Sequence, residues 1–174
     1  MSIQHDNFVL TDEFEAFAAV SNLLWTEREI LETVLFKLVQ ENTIISSGST
    51  RWLNRADAEL RAALEQMRAA EIIRAGEVEA LALQLNLPLD TTLAQLIEVA
   101  PEPWPAVLAE HRAVLRSMVH EIEAVTADNR RMLEASTRAI AETLDNLTVN
   151  AAGYDASGAP TVGRRASFLL DQSA

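Results

Sequence analysis

Five apolar residues, Phe17, Leu24, Leu31, Leu38 and Ile45, recur at seven-residue intervals, with Val20, Val34 and Leu35 beside them and no glycine or proline before residue 48. A seven-residue period fits two turns of an α-helix; in a strand, whose side chains alternate, it would place successive members on opposite faces. The stripe therefore demands a long helix that packs lengthwise on another. Thr11 is the expected N-cap, followed by Asp12 and Glu13, whose charges suit the positive helix end. A helix over about 11–47 is roughly 50 Å long at 1.5 Å per residue.

Helix-breaking residues divide the rest of the chain. Gly48 stands alone, Pro88, Pro101, Pro103 and Pro105 cluster, and Gly153, Gly158, Pro160 and Gly163 lie near the C-terminus. The segments between them are rich in Ala, Leu, Glu and Arg, the strongest helix formers, without the β-branched alternation of strands. A second helix over about 50–86 carries Leu53, Leu60, Met67 and Leu81 in one register, with Leu64, Val78 and Leu85 beside it. The short Ser46–Ser49 connection predicts an antiparallel hairpin with the first helix. Arg55/Glu59 and Arg61/Glu65 are expected i,i+4 pairs on the outer face. Thr92 and Gln95 have capping-box spacing, which predicts a short helix over about 91–99 before Pro101.

A third long helix is expected over about 106–149. Leu108, Leu115 and Ile122 begin its stripe, and Asn129, Ser136 and Thr143 continue the same register. The seam thus turns polar in its second half, which is expected to pack less firmly or against something else. The predicted fold is all-α: an elongated antiparallel bundle of three long helices with a short linker helix, filling residues 1–153, and a flexible C-terminal tail over 154–174.

Acidic residues outnumber basic ones by 26 to 14, for a net charge of -12. Such a chain repels phosphate backbones and anionic lipid, so neither nucleic acid nor membrane insertion is expected. There is no cysteine, and no apolar run approaches the ~20 residues of a membrane helix. A soluble, cytoplasmic protein is the expectation. His111 and His120 are nine residues apart and neither has a histidine four positions away or a glutamate three before it, so the zinc and carboxylate-bridged metal motifs fail. No phosphate-binding loop, dinucleotide fingerprint or nucleophile elbow is present. Neither a cofactor nor catalysis is expected; an acidic pair such as Glu110 and Glu121 is the remote enzymatic alternative. His111 and His120 are expected to be partly exposed and paired, and Trp25, Trp52 and Trp104 to pack in the core.

Several segments, in order, resemble one family. They are Leu24-Trp-Thr-Glu-Arg-Glu-Ile-Leu-Glu32, Leu35-Phe-Lys-Leu38, a small-residue turn, a charged second helix, Asn129-Arg-Arg-Met-Leu133, and Tyr154-Asp-Ala-Ser-Gly158 after the last helix. Together, over residues 14–160, they are similar to the FlgN family of flagellar export chaperones. The tail beyond Pro160 and the Pro-Glu-Pro-Trp-Pro linker depart from that pattern.

The resemblance implies a cytoplasmic chaperone that binds the terminal helical segments of flagellar hook-associated proteins, prevents their premature assembly and delivers them to the export gate. It assigns gate docking to Tyr154 with Gly158. The polar-diluted half of the third helix, with Met132, Leu133, Ser136, Ile140, Thr143, Leu144 and Leu147, is the expected client-binding surface. The competing expectation is a coiled-coil scaffold or adaptor without an export role, and self-association through the heptads stays open.

Overall fold

A computed structural model describes the backbone of residues 3–151 and the side chains of residues 13–145. The Leu147 side chain, Tyr154, Gly158 and the predicted tail lie outside the described residues. Among those described, the elements are α1 (Ile3–Ser46), a 3-10 turn (Thr50–Trp52), α2 (Leu53–Gln84), α3 (Leu93–Val99) and α4 (Trp104–Ala151), with no strand. The fold is all-α, as the helix-forming composition predicts.

The helix boundaries have local causes. α1 starts at Ile3, upstream of the expected cap at Thr11. Nothing between Ile3 and Leu10 breaks a helix, and extending an existing helix adds a hydrogen bond per residue without a nucleation cost. α1 and α2 end in the same way. Gly48 (φ 67°) and Asn86 (φ 55°) adopt the left-handed conformation. At the first end Ser49 N–H donates to Ile44 O and Gly48 N–H to Ile45 O; at the second Leu87 N–H donates to Ala82 O and Asn86 N–H to Leu83 O. Each is a Schellman motif, which satisfies carbonyls that a bare helix end would leave unpaired. α3 begins with the predicted capping box: Gln95 N–H donates to Thr92 Oγ1 (3.3 Å) and Thr92 N–H to Gln95 Oε1 (2.8 Å).

The chain divides into two units, Met1–Arg130 and Arg131–Ala174, and α4 passes from the first into the second. In the first unit α1 and α2 form the predicted antiparallel hairpin. Arg74 Nε reaches Glu27 (2.7 Å) near one end and Lys37 Nζ reaches Glu59 (2.6 Å) toward the other. α4 runs parallel to α1, with His111 beside Ser21 and Asn129 beside Leu38 and Asn42.

Among the described residues, two apolar clusters fill this unit. The larger joins Phe17, Val20 and Leu24 of α1 to Val78 and Leu81 of α2, Leu96 of α3, and Trp104 and Leu108 of α4. α3 therefore closes one end, and the Trp104 ring lies 5.0 Å from Phe14 and 6.4 Å from Phe17. The smaller cluster centres on Val34, Leu38 and Ala63, with Leu60, Ile122 and Val125 against it.

Several side chains depart from expectation. The buried stripe of α2 is largely alanine, Ala56, Ala63 and Ala70, while Leu64 faces outward. Small side chains let two helix axes approach closely. Only Trp104 of the three tryptophans is buried; Trp25 and Trp52 are about half exposed. Arg61 pairs with Asp57, one turn N-terminal to it, and Glu65 pairs with Arg68, so the expected Arg61/Glu65 pair does not form, whereas Arg55/Glu59 does (2.9 Å). Gly76 leaves α2 continuous, with no atom within 4 Å of where a Cβ would stand.

Candidate functional site

In the second unit, α4 is an amphipathic helix. At about 100° per residue, Met132, Leu133, Ser136, Ile140, Thr143 and Leu144 fall within an arc of about 120°, while Glu134, Arg138, Glu142 and Asp145 share the opposite side. Leu133 is 36% exposed, Ile140 60% and Leu144 56%; Met132 is half-buried, and Ser136 and Thr143 are exposed. Ala139, Ile140, Thr143 and Leu144 line a shallow depression. Thr137 and Thr143 turn their hydroxyls back to the Leu133 and Ala139 carbonyls, at 2.9 and 2.8 Å, so their methyl-bearing sides remain available to the surface. Six of the seven predicted client residues thus lie together on one face, and the seventh, Leu147, occupies the same arc by register.

The polar seam has a different character at its first member. Asn129 is buried, not loosely packed: its Nδ2 donates to Leu38 O (2.9 Å) and Glu41 Oε2 (3.2 Å), and its Oδ1 accepts from Asn42 Nδ2 (2.7 Å). The dilution of packing begins beyond it, where Ser136 and Thr143 are exposed.

His111 also departs from expectation. It is 2% exposed, shares a 3.1 Å hydrogen bond between Nε2 and Ser21 Oγ, and meets the Trp25 ring edge-on at 5.2 Å. The Arg28 guanidinium stacks over the other part of this group, 4.0 Å from the Trp25 centroid. Burial, and then the Arg28 charge, hold the His111 pKa below its ordinary 6.5, with Glu110 opposing them. His120 is exposed, with Glu123 4.0 Å away. The signal for His111 was its position three residues after Leu108, on the inward side of α4.

The sequence reading also missed an apolar groove between α1 and α2 that is lined by Phe36, Val39, Ile44, Trp52 and Ala56, with Arg55 and Glu59 at its edge. These aromatic residues lie off the heptad stripes, which is the mark they leave in the sequence. Among the described residues no group of three His, Asp or Glu side chains converges to hold a metal, and no helix is long and apolar enough to cross a membrane.

Neither a curated protein nor a solved structure matches the chain. A family model does: the one described as FlgN protein matches residues 16–161, which span the hairpin, α3, α4 and the segment holding Tyr154. With most of its length matched, the chain belongs to the FlgN family, a family of flagellar export chaperones.

Proposed function

We propose that this protein is a cytoplasmic export chaperone that holds the terminal helical segment of a flagellar hook-associated protein on the exposed apolar face of α4 and delivers it to the export gate. The observation that carries this reading is the Leu133, Ile140 and Leu144 stripe, open on a helix whose opposite side is charged. An amphipathic client segment gains from laying its own apolar face against such a stripe, and while bound it is withheld from assembly with its neighbours. Binding energy is all this task requires, so the chain acts without catalysis. Tyr154, with Gly158, lies inside the matched family region, and the role proposed for it is gate docking; a tyrosine supplies a rigid ring and a hydroxyl at little entropic cost.

The scaffold reading loses its main support. The heptads that argued for a coiled-coil dimer are used within the chain, where Phe17, Leu24 and Leu38 are already covered by α2, α3 and α4.

The test is calorimetry with the client's terminal segment. Fully covering an exposed apolar side chain contributes about 1.5 kcal/mol at the low end; with Leu133 36% and Ile140 60% exposed, Leu133→Glu with Ile140→Glu removes at least about 1.4 kcal/mol, roughly tenfold in affinity. Because both residues are exposed, helicity should be unchanged. Unaltered affinity in the double variant overturns the assignment of the client face. Tyr154→Ala should keep the client and lose the gate component; normal binding of both removes the docking role.

A further inference from the structure

The groove between the C-terminal part of α1 and the start of α2 is an apolar surface, among the described residues, that the proposed function leaves unused. It encloses about 650 Å³, within the range of functional pockets. Phe36 is 63% exposed, Val39 47% and Trp52 46%. Tryptophan and arginine, which carry much of the energy at protein interfaces, both stand at its edge.

The charge around it is the reverse of the chain's. Lys37 Nζ lies 5.5 Å from the Phe36 centroid, and the Arg51 guanidinium lies 4.9 Å from that of Trp52. Arg55 lines the same groove. Among the groove's lining residues the carboxylate is Glu59, which binds both Lys37 and Arg55. Asp57 is paired with Arg61, and Glu41, which does not line the groove, keeps its charge but turns to Asn129 of α4. Arg51 makes no ion pair among the described residues, and the Arg55 side chain is 75% exposed. A basic, aromatic mouth on a chain of net charge -12 is a local exception.

We propose that this groove receives an amphipathic helix of a partner protein, its apolar side chains against Phe36, Val39 and Trp52 and its flanking acidic side chains against Lys37, Arg51 and Arg55. Opposite charges at the rim fix register and exclude wrong partners. A second copy of the same groove is a poor occupant, because a symmetric contact sets the three cations against their own kind. The acidic remainder of the chain does not forbid an acidic ligand, since at physiological ionic strength charges beyond about 8 Å are largely screened. The site is built by α1, the 3-10 turn and α2, with no residue of α4, so its failure leaves the α4 reading standing.

The test uses the full chain and two synthetic amphipathic peptides of about 18 residues, five helical turns. Their leucine faces are identical; one carries glutamate flanks and the other lysine flanks. Calorimetry at physiological salt should show the glutamate peptide binding at least tenfold more tightly, and NMR should place its shifts at Phe36, Val39 and Trp52. The double variant Arg51→Glu with Arg55→Glu, both exposed and outside the core clusters, should reverse the preference with helicity unchanged. Equal affinity for the two peptides, a lysine preference in the unaltered chain, or shifts confined to Leu133 through Leu144 overturns the proposal. So does a groove whose resonances move with protein concentration alone, which would make a second copy the occupant.

Discussion

Replacing Asn129 separates what a buried amide contributes to stability from what it contributes to register. In the folded chain the amide makes three hydrogen bonds, to Leu38 O, Glu41 and Asn42. A neutral bond of this kind is worth about 1 kcal/mol net, and one to a charged group more. In Asn129→Ala the Leu38 carbonyl keeps its helical partner, and Asn42 and Glu41, both only half-buried, regain water. The expected cost is therefore about 2 kcal/mol, below the sum of three bonds. Asn129→Leu should differ: it removes the need to satisfy a buried amide and extends the Ile122 and Val125 packing, so stability should match or exceed the parent. What it loses is the polar pin that fixes α4 against α1, a recognised use of a lone asparagine in a helical seam. Tryptophan fluorescence reads this unit selectively, because Trp25, Trp52 and Trp104 all lie within residues 1–130. The alanine variant should melt about 6 °C lower, and the leucine variant should show doubled or broadened amide signals along α4. An alanine variant within about 0.5 kcal/mol of the parent, well below a single buried hydrogen bond's desolvation cost, would refute the reasoning.

Gly76→Ala should stabilise the first unit by about 0.5–1 kcal/mol in urea unfolding, since the added methyl meets no atom and the unfolded chain loses freedom; destabilisation would mean an unseen contact there. Phe17→Ala, at a fully buried position in the larger cluster, should cost about 3–5 kcal/mol by the same measurement. Stability should also fall on acidification in two windows. His111 has a depressed folded pKa, so the unfolded chain takes its proton first: its contribution is fully present above about 6.5 and lost as pH falls through the folded value, a slope that His111→Gln should flatten. Glu59 is held below its ordinary 4.5 by Lys37 and then Arg55, so its contribution is present above that value and lost at lower pH, a slope absent from Glu59→Gln.

The long helices were legible because their boundaries rest on local chemistry: Gly48 at a left-handed cap, Thr92 with Gln95 at a capping box, and prolines ahead of α4. The α1 heptads were legible because large apolar residues mark them. The α2 stripe was read less well, since Ala56, Ala63 and Ala70 carry little hydrophobic signal yet are what fits beneath a close neighbour, leaving Leu64 outside. Thr11 looked like a cap because its residue type suits one, but a cap needs a helix start and none falls there. His111 and Asn129 were misread for a shared reason. Polar residues on a charged helix suggest solvent, and only the opposing helix supplies the Ser21 hydroxyl and Leu38 carbonyl that make their burial affordable. The α4 face was visible from periodicity, because an amphipathic pattern does not depend on what covers it. The α1–α2 groove was not, because Phe36 and Trp52 become neighbours only when the hairpin closes.

The parallel course of α1 and α4 sets an order of assembly. The α1–α2 ion pairs join residues 22 and 47 positions apart, whereas the α1–α4 hydrogen bonds join residues 87 to 91 positions apart. Closing the longer loops costs more chain entropy before any contact is gained. During synthesis the hairpin can close once Gln84 has emerged, while the α4 face of α1 must wait for some forty further residues. For that interval the nascent chain presents the sides of Val34 and Leu38 that Ile122 and Val125 later cover, and a chaperone for other proteins passes through a stage at which it has a client's surface itself.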